Sequence, residues 1–441
     1  MQNQYVPSPL IGEFRKFEAL EGSSGYDLNQ QPTLKLSIIS QFYPPDYAAT
    51  GQLIAELADQ LHNLGIDIDI FTGQPGYAFD KASAPRKEQV KGVNIRRSCI
   101  AHLWPKRIRG RVLNGLLFCV RAGLHLLKSA NRRSLLLVTT EPAYLPILGY
   151  LANLFFGIPY ICLLYDIYPD VAVELNVVSP HHLLVRFWNW LNCQVWKNAQ
   201  NVIVLSSTMK EKVAAKCPQV RDKITVIHSW SDPSQIKPIK KQENWFAQQF
   251  NLVNKFTVLY SGNMGRCHDV DTIAAAAEEL KDEPIQFVFI GNGAKRQLLI
   301  ERVNELGLTN CLFLPYQDKS ILPYSLTACD LSLVSISPGM EGLIAPSKLY
   351  GILAAGRSVA AICEPHSYLR KLISEAKCGA TFDNGDSVGL AQFIRHLANN
   401  SGLSATQGQA GRNYLQAKFT PEIIARKYFQ ILRQVSLSNL A

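Results

Sequence analysis

The sequence predicts an α/β protein made of two similar doubly wound units, each a parallel sheet covered by helices on both faces. Three observations predict it. Two strand–loop–helix openings stand about 220 residues apart, one starting at Leu34 and one at Lys255. Strand-like and helical patterns alternate between them and after the second, the pattern of parallel sheets. The composition is that of a packed chain: of 441 residues, 47% are apolar and 18% charged, which excludes disorder as the main state. At roughly 100–200 residues per domain, two domains are the natural division.

The elements follow in order. Residues 1–33 are polar and lack an apolar core of signal-peptide length, so a poorly ordered leader is expected there. Leu34–Ser40 is the first strand, followed by a Pro-rich loop. A helix from about Thr50 carries Leu53, Ile54, Leu57, Leu61 and Leu64 at helical spacing and ends at Gly65. IDIDIFTG alternates strictly as a second strand. LLLVTT, YICLLYD, NVIVLSS and ITVIHSW read as strands within helical surroundings. A polar, lysine-rich stretch after Ser229–Pro233, DPSQIKPIKKQEN, reads as the linker. The first domain is thus 34–230 and the second 231–420. In the second, KFTVLYSG, QFVFIGNG, CLFLP, DLSLVSI and SVAAIC are strands. Residues 421–441 form a terminal helix expected to pack back on the first domain.

One apolar run needs separate treatment. Pro142–Tyr165 holds 24 residues without a charge, long enough to cross a bilayer. Pro146 and Gly157-Ile158-Pro159 divide it, so it reads as a buried helix, about 146–156, and a buried strand, about 159–165. Ten cysteines contain no C-x-x-C pair, which argues against a zinc ribbon or redox motif and fits a reducing, cytosolic compartment. No H-E-x-x-H is present among nine histidines, which argues against a metalloprotease.

In open parallel sheets, ligands bind beyond the carboxyl ends of the strands, so the loops after strands are the places to search. The stretch Ser337–Gly356 follows a strand with a glycine-bearing loop, then Pro346-Ser347 at a helix start and Lys348. Pro suits the first turn and Ser is a capping residue. The free N–H groups and the lysine charge make an anion site there; the plain alternative is a capped helix with a solvated lysine. Glu341, in the loop before, could accept hydrogen bonds from sugar hydroxyls. Gly262-Asn263-Met264-Gly265-Arg266 lies between a strand and a helix, where glycines admit a phosphate and Arg266 could pair with it. An ordinary tight turn reads equally well, and it is the simpler reading of Gly291-Asn292-Gly293. In the first half, Thr50 and Gly51 stand at a helix start facing the cleft. Asp166 sits just past an apolar strand, where it could act as a base or orient a hydroxyl, or cap the next helix.

The chain carries 45 Lys+Arg against 35 Asp+Glu, a net charge of +10. Much of the excess lies in residues 102–133, where Lys106, Arg107, Arg109, Arg111, Arg121, Lys128, Arg132 and Arg133 occur with no acid. Trp104, Leu113, Leu116, Leu117, Phe118, Val120, Leu124 and Leu127 run through them at mostly helical spacing. A basic amphipathic helix of this kind reads as contact with an anionic membrane surface, or as a core helix with a solvated basic face. Aromatics are not interleaved with the charges as nucleic-acid binding would want.

These stretches, in order, resemble glycosyltransferase family 4 with its two-domain GT-B fold: SQFYPPDYAATGQLIAELADQL, LYDIYPD, VIVLSSTMKEKV, ITVIHSWSD, YSGNMGRCHDVDTI, FVFIGNG and APSKLYGILAAGRSV. They are most similar to the colanic-acid-type exopolysaccharide glycosyltransferases. The resemblance implies a retaining, metal-independent transferase with no cofactor. A nucleotide diphosphate sugar would bind the second domain and an acceptor, lipid-linked in such a pathway, the first. It implies that Gly262, Asn263 and Arg266 approach the diphosphate, Gly293 the base, Glu341 the donor sugar, and Ser347 and Lys348 the phosphates. Asp166 and Thr50-Gly51 would face the acceptor and the reacting carbon, with Asp166 and Glu341 as catalytic carboxylates. Two departures from the family pattern stand out. Gly351 occupies the place of the usual ribose-binding glutamate, with Glu341 ten rather than eight residues before it. Asn263 and His268 replace the usual phosphate-binding Arg and Lys, for which Arg266 would substitute. The implied location is cytoplasmic, peripheral on the inner face of the plasma membrane. Two other readings fit the same fold: a nucleotide-sugar 2-epimerase and a non-catalytic scaffold subunit.

Overall fold

The computed structural model describes residues 34–46, 48–75, 84–98, 108–128 and 134–438. The expected leader 1–33 lies outside the described residues. So do Trp104, Lys106, Arg107, Arg132 and Arg133, and the side chains of Arg109 and Arg111.

The first lobe is built on an eight-stranded sheet. Its strands are β1 (Lys35–Ile39), β2 (Asp67–Thr72), β3 (Lys87–Val90), β4 (Val93–Arg97), β5 (Leu135–Thr139), β6 (Tyr160–Leu164), β7 (Asn201–Val204) and β8 (Ile224–Val226). The spatial order is 3-4-2-1-5-6-7-8, with every pair parallel except β3–β4. The second lobe is a six-stranded parallel sheet: β9 (Phe256–Ser261), β10 (Ile285–Ile290), β11 (Cys311–Leu314), β12 (Leu331–Ser335), β13 (Ser358–Ile362) and β14 (Gly379–Phe382), in the order 11-10-9-12-13-14. The expected α/β architecture is present in both lobes. Every residue of β5, β6, β10, β12 and β13 is buried, as helices on both faces require.

The apolar run divides where its glycine and prolines predict. Helix Leu145–Phe156 ends on Gly157 in the left-handed conformation, and β6 follows. Among the described residues no helix is long and apolar enough to cross a membrane. The β3–β4 hairpin was not foreseen. Its outer strand, Lys-Glu-Gln-Val, is polar and almost wholly exposed, so it carries no alternation to read.

Both sheets reverse strand order beside their first strand, between β1 and β5 and between β9 and β12. Such switch points open a crevice at the carboxyl ends of the strands. The two crevices face each other. Ile167 N donates to Leu343 O at 2.9 Å, and Thr208 Oγ1 donates to Glu341 Oε1 at 2.6 Å, both from one lobe to the other. Across the mouth, Lys319 Nζ lies 3.4 Å from Glu56 Oε1, whose Oε2 accepts from Trp230 Nε1 at 3.1 Å. The last helix, Pro421–Ser438, packs on the first, Ala49–Asn63, with Tyr428 edge-on to Trp230.

In the second lobe the turns after β9 and β10 lie against each other. Gly291 has φ +130°, and a Cβ there would sit 2.1 Å from the Gly262 carbonyl oxygen. Gly291→Ala is therefore expected to lower stability by about 1–3 kcal/mol from backbone strain, read as a lower urea midpoint. An unchanged midpoint would mean that the two turns can part freely.

Candidate active site

A cleft of about 590 Å³ lies between the lobes. Its first-lobe wall is made by the loops after β1, β5 and β6. Thr50, in the first turn of helix Ala49–Asn63, donates from Oγ1 to Glu141 Oε2 at 2.5 Å. Glu141 follows β5 and Asp166 follows β6, so adjacent parallel strands bring the two carboxylates to one wall. The Asp166 loop is held by Thr140 Oγ1, which accepts from Tyr165 N at 2.9 Å and Asp166 N at 3.3 Å. Burial raises the Asp166 carboxyl to about 6. Burial raises Glu141 to about 7; the Thr50 hydrogen bond opposes this, and the charges of Asp166 and Asp46 add to it.

The facing wall comes from the loops after β9 and β12. Gly262, Asn263, His268, Ser347, Lys348 and Gly351 line it. The Lys348 ammonium stands 3.7 Å from the centre of the Tyr260 ring and 3.4 Å from Asn263 O. Among the described residues no carboxylate forms an ion pair with it. Burial lowers its pKa to about 7. Burial, and then the Lys348 charge, lower His268 to about 3, and its buried Nδ1 has no partner. One wall thus carries carboxylates, the other a desolvated cation beside a neutral imidazole. Ile290, Tyr316, Leu322, Leu326 and Ile352 make the cleft apolar near Gly351. A side chain at Gly351 would meet only Leu326 Cδ1, at 3.6 Å.

The structure brings together Thr50, Asp166, Gly262, Asn263, Ser347 and Lys348, and leaves four other expected residues out of the cleft lining. Glu341 is 1% exposed. Its loop turns inward through a bridge to Ile344, and its carboxylate takes the Thr208 hydroxyl at the start of helix Ser207–Lys216, where the helix dipole favours an anion. Its other oxygen, Oε2, is buried without a partner. Arg266 is exposed on the outside of its turn. Gly293 is a packing position: a Cβ would lie 2.5 Å from the Met264 backbone. Gly51 lets the first helix close on the Phe42–Tyr43 backbone, which a Cβ would approach to 2.9 Å. Ser347 stands at the helix start but makes no side-chain cap, because its backbone is already helical (φ −66°, ψ −21°).

Sequence reasoning missed Glu141, and the signal for it existed. It follows LLLVTT just as Asp166 follows YICLL, at the end of a fully buried strand. Glu56, Trp230 and Lys319 had no such signal, since only lobe closure joins them. Among the described residues no three or more His, Cys, Asp or Glu side chains are grouped to hold a metal ion.

Comparison with known proteins bears on the family and the fold. Residues 49–230 match a family model described as a glycosyl transferase 4-like domain, and residues 241–414 one described as glycosyl transferases group 1. The chain is 26% identical over 327 residues to the probable glycosyltransferase WbjE of Pseudomonas aeruginosa, covering 73% of this chain and 79% of that one. It is 27% identical over 239 residues to the putative colanic acid biosynthesis glycosyl transferase WcaI of Escherichia coli, covering 54% and 58%. The crystal structure of Anabaena HepE in complex with UDP-glucose superposes with a TM-score of 0.67 at 15% identity, over 91% of this chain and 99% of that one. With both lobes matched by glycosyltransferase models and the fold shared, the chain is a glycosyltransferase of the two-domain GT-B architecture.

Proposed function

We propose that this glycosyltransferase moves a hexose-type sugar, with retention of configuration, from a nucleotide diphosphate sugar to a lipid-linked acceptor in exopolysaccharide or cell-surface glycan synthesis. The observation that carries the donor half is Lys348: an ammonium held in the cleft with no carboxylate beside it is the partner a diphosphate needs. Gly262 and Asn263, at the end of β9, admit the phosphates close to the backbone. The apolar end by Tyr316, Leu322 and Ile352 suits a base and ribose. The UDP-glucose bound to HepE, on the same fold, supports this reading. Colanic acid synthesis, named for WcaI, supports the glycan pathway.

Asp166 and Glu141 stand on the opposite wall, where they would orient the acceptor hydroxyl. For retention the hydroxyl must meet C1 on the face that the diphosphate leaves, so its proton passes by way of one of these carboxylates to the departing phosphate oxygen as the new C1–O bond forms and the bond from C1 to the phosphate breaks. Carboxyls raised toward neutrality by burial suit that exchange. Glu341, sealed under Thr208, acts instead in joining the lobes. Charge on the departing diphosphate is balanced by Lys348 with no metal ion and no cofactor, so a chelator should leave transfer unchanged. The acidless segment 102–133 supports a place at the cytoplasmic membrane face, where a lipid-linked acceptor would be met.

Two outcomes test the assignment. Lys348→Ala should weaken uridine or guanosine diphosphate binding by roughly 10- to 100-fold, the loss of one charge-assisted contact, with an unlowered melting temperature; full affinity by calorimetry would remove Lys348 from the site. In the wild type, affinity should fall as pH rises above about 7, where the free ammonium loses its proton, and Lys348→Arg should flatten that slope. A second pair of variants separates the walls. Asp166→Asn and Glu141→Gln should each cut sugar transfer by about 100-fold or more, the usual scale for a proton-transfer group, while diphosphate affinity stays at the wild-type value.

A further inference from the structure

Three neighbouring helices of the first lobe share a surface that transfer chemistry does not use. Helix Leu145–Phe156 lies between Ile108–Leu126 and Leu183–Asn198 and packs against both. Their outward faces are apolar. Val120 and Leu124 on one helix, Leu154 and Phe155 on the next, and Leu183 and Phe187 on the third are all more than half exposed, Phe155 at 70% and Leu183 at 75%. Phe187 stacks on Trp190 in the open, with centroids 5.8 Å apart. Single exposed apolar side chains are ordinary, but exposed apolar side chains repeated on three adjacent helices mark a surface that is covered in use.

The charge pattern says what covers it. None of the three helices contains an Asp or Glu, in a chain with 35 of them. Arg121 and Arg186 are exposed on the outer two helices, with Lys128 just past the first and Lys197 near the end of the third. Among the described residues none of these four forms an ion pair. A second copy docking here would set like charges against like. An anionic bilayer offers what the face lacks: phosphates for the cations and acyl chains for the ridge between them.

We infer that this three-helix face is a monotopic membrane-binding surface, with Leu154, Phe155, Leu183 and Phe187 entering the acyl boundary of an anionic phospholipid leaflet and Arg121, Lys128 and Arg186 at its headgroups. This extends the membrane reading of segment 102–133 to two helices outside it. Helix Leu145–Phe156 begins a few residues after Glu141, at the cleft end of β5, and runs back along the sheet. The helix that carries Leu154 and Phe155 thus follows the acceptor-wall loop of Glu141 in the chain.

The test is co-sedimentation of the full chain with phosphatidylcholine vesicles, with and without phosphatidylglycerol. The wild type is expected to bind the anionic vesicles, more weakly as salt rises. Leu154→Ser with Phe155→Ser, and separately Leu183→Ser with Phe187→Ser, should each weaken binding at least tenfold. Arg121→Glu with Arg186→Glu should abolish the preference for phosphatidylglycerol. Unchanged diphosphate affinity shows that each variant is folded, and the readout is binding rather than turnover, so this inference and the transferase reading can fail separately. Three results overturn it: no vesicle binding by the wild type, serine variants that bind as the wild type does, or binding seen only after residues 1–33 are removed. A dimer that the serine variants dissociate, without vesicle binding, would assign the face to a second copy instead.

Discussion

The cleft depends on a half-buried lysine ammonium that, among the described residues, has no anion of its own. A cation in that position is destabilising unless something compensates it, and the Tyr260 ring and the Asn263 carbonyl do so only in part. Burial lowers the pKa of Lys348, and burial together with the Lys348 charge lowers that of His268 further. A diphosphate would compensate the ammonium directly. The fold arranges this by putting Lys348 at the carboxyl edge of the second sheet, where β9 and β12 part, and by placing glycine at 262, where a Cβ would come within 3.5 Å of the Lys348 side chain.

The opposite wall has the mirrored problem. Glu141 and Asp166 are brought together because β5 and β6 are parallel neighbours and both end at the cleft. Burial pushes both carboxyls toward neutrality, the charge of Asp166 adds to this for Glu141, and Thr50 holds Glu141 in place. In the proposed transfer, acids on one side and a cation on the other would separate two tasks, one wall receiving the departing charge and the other handling the proton. The same closure that forms the cleft takes Glu341 out of it. The Thr208–Glu341 and Glu56–Lys319 contacts and the Ile167–Leu343 backbone bond spend three polar groups of the second lobe on holding the lobes together.

The fold was largely legible because buried parallel strands write themselves as short apolar runs. LLLVT, YICLL and SVAAI are read from composition alone, and the glycines and prolines that end each run place the loops. The β3–β4 hairpin escaped because an edge strand facing solvent need not be apolar. The site was legible only to the level of the loop. Loops after strands do line the cleft, and Lys348, Gly262, Asn263, Thr50 and Asp166 are among the residues they bring to it. Within a loop, side-chain direction decides. Arg266 is exposed and outside the cleft lining that Asn263 and Cys267 join, and Gly293 and Gly51 stand against neighbouring backbone.

The amino-acid order by itself determined the two α/β lobes, the strand ends that bear the chemistry, and the acidless basic segment, because each rests on local pattern and on which residues can be buried. Tertiary structure alone decided that Glu141, not Glu341, shares the cleft with Asp166, that Glu56 meets Lys319, and that three helices exposing apolar side chains lie side by side. Those facts depend on the packing of segments far apart in the chain, and contact between distant segments leaves no periodicity in a sequence to be read.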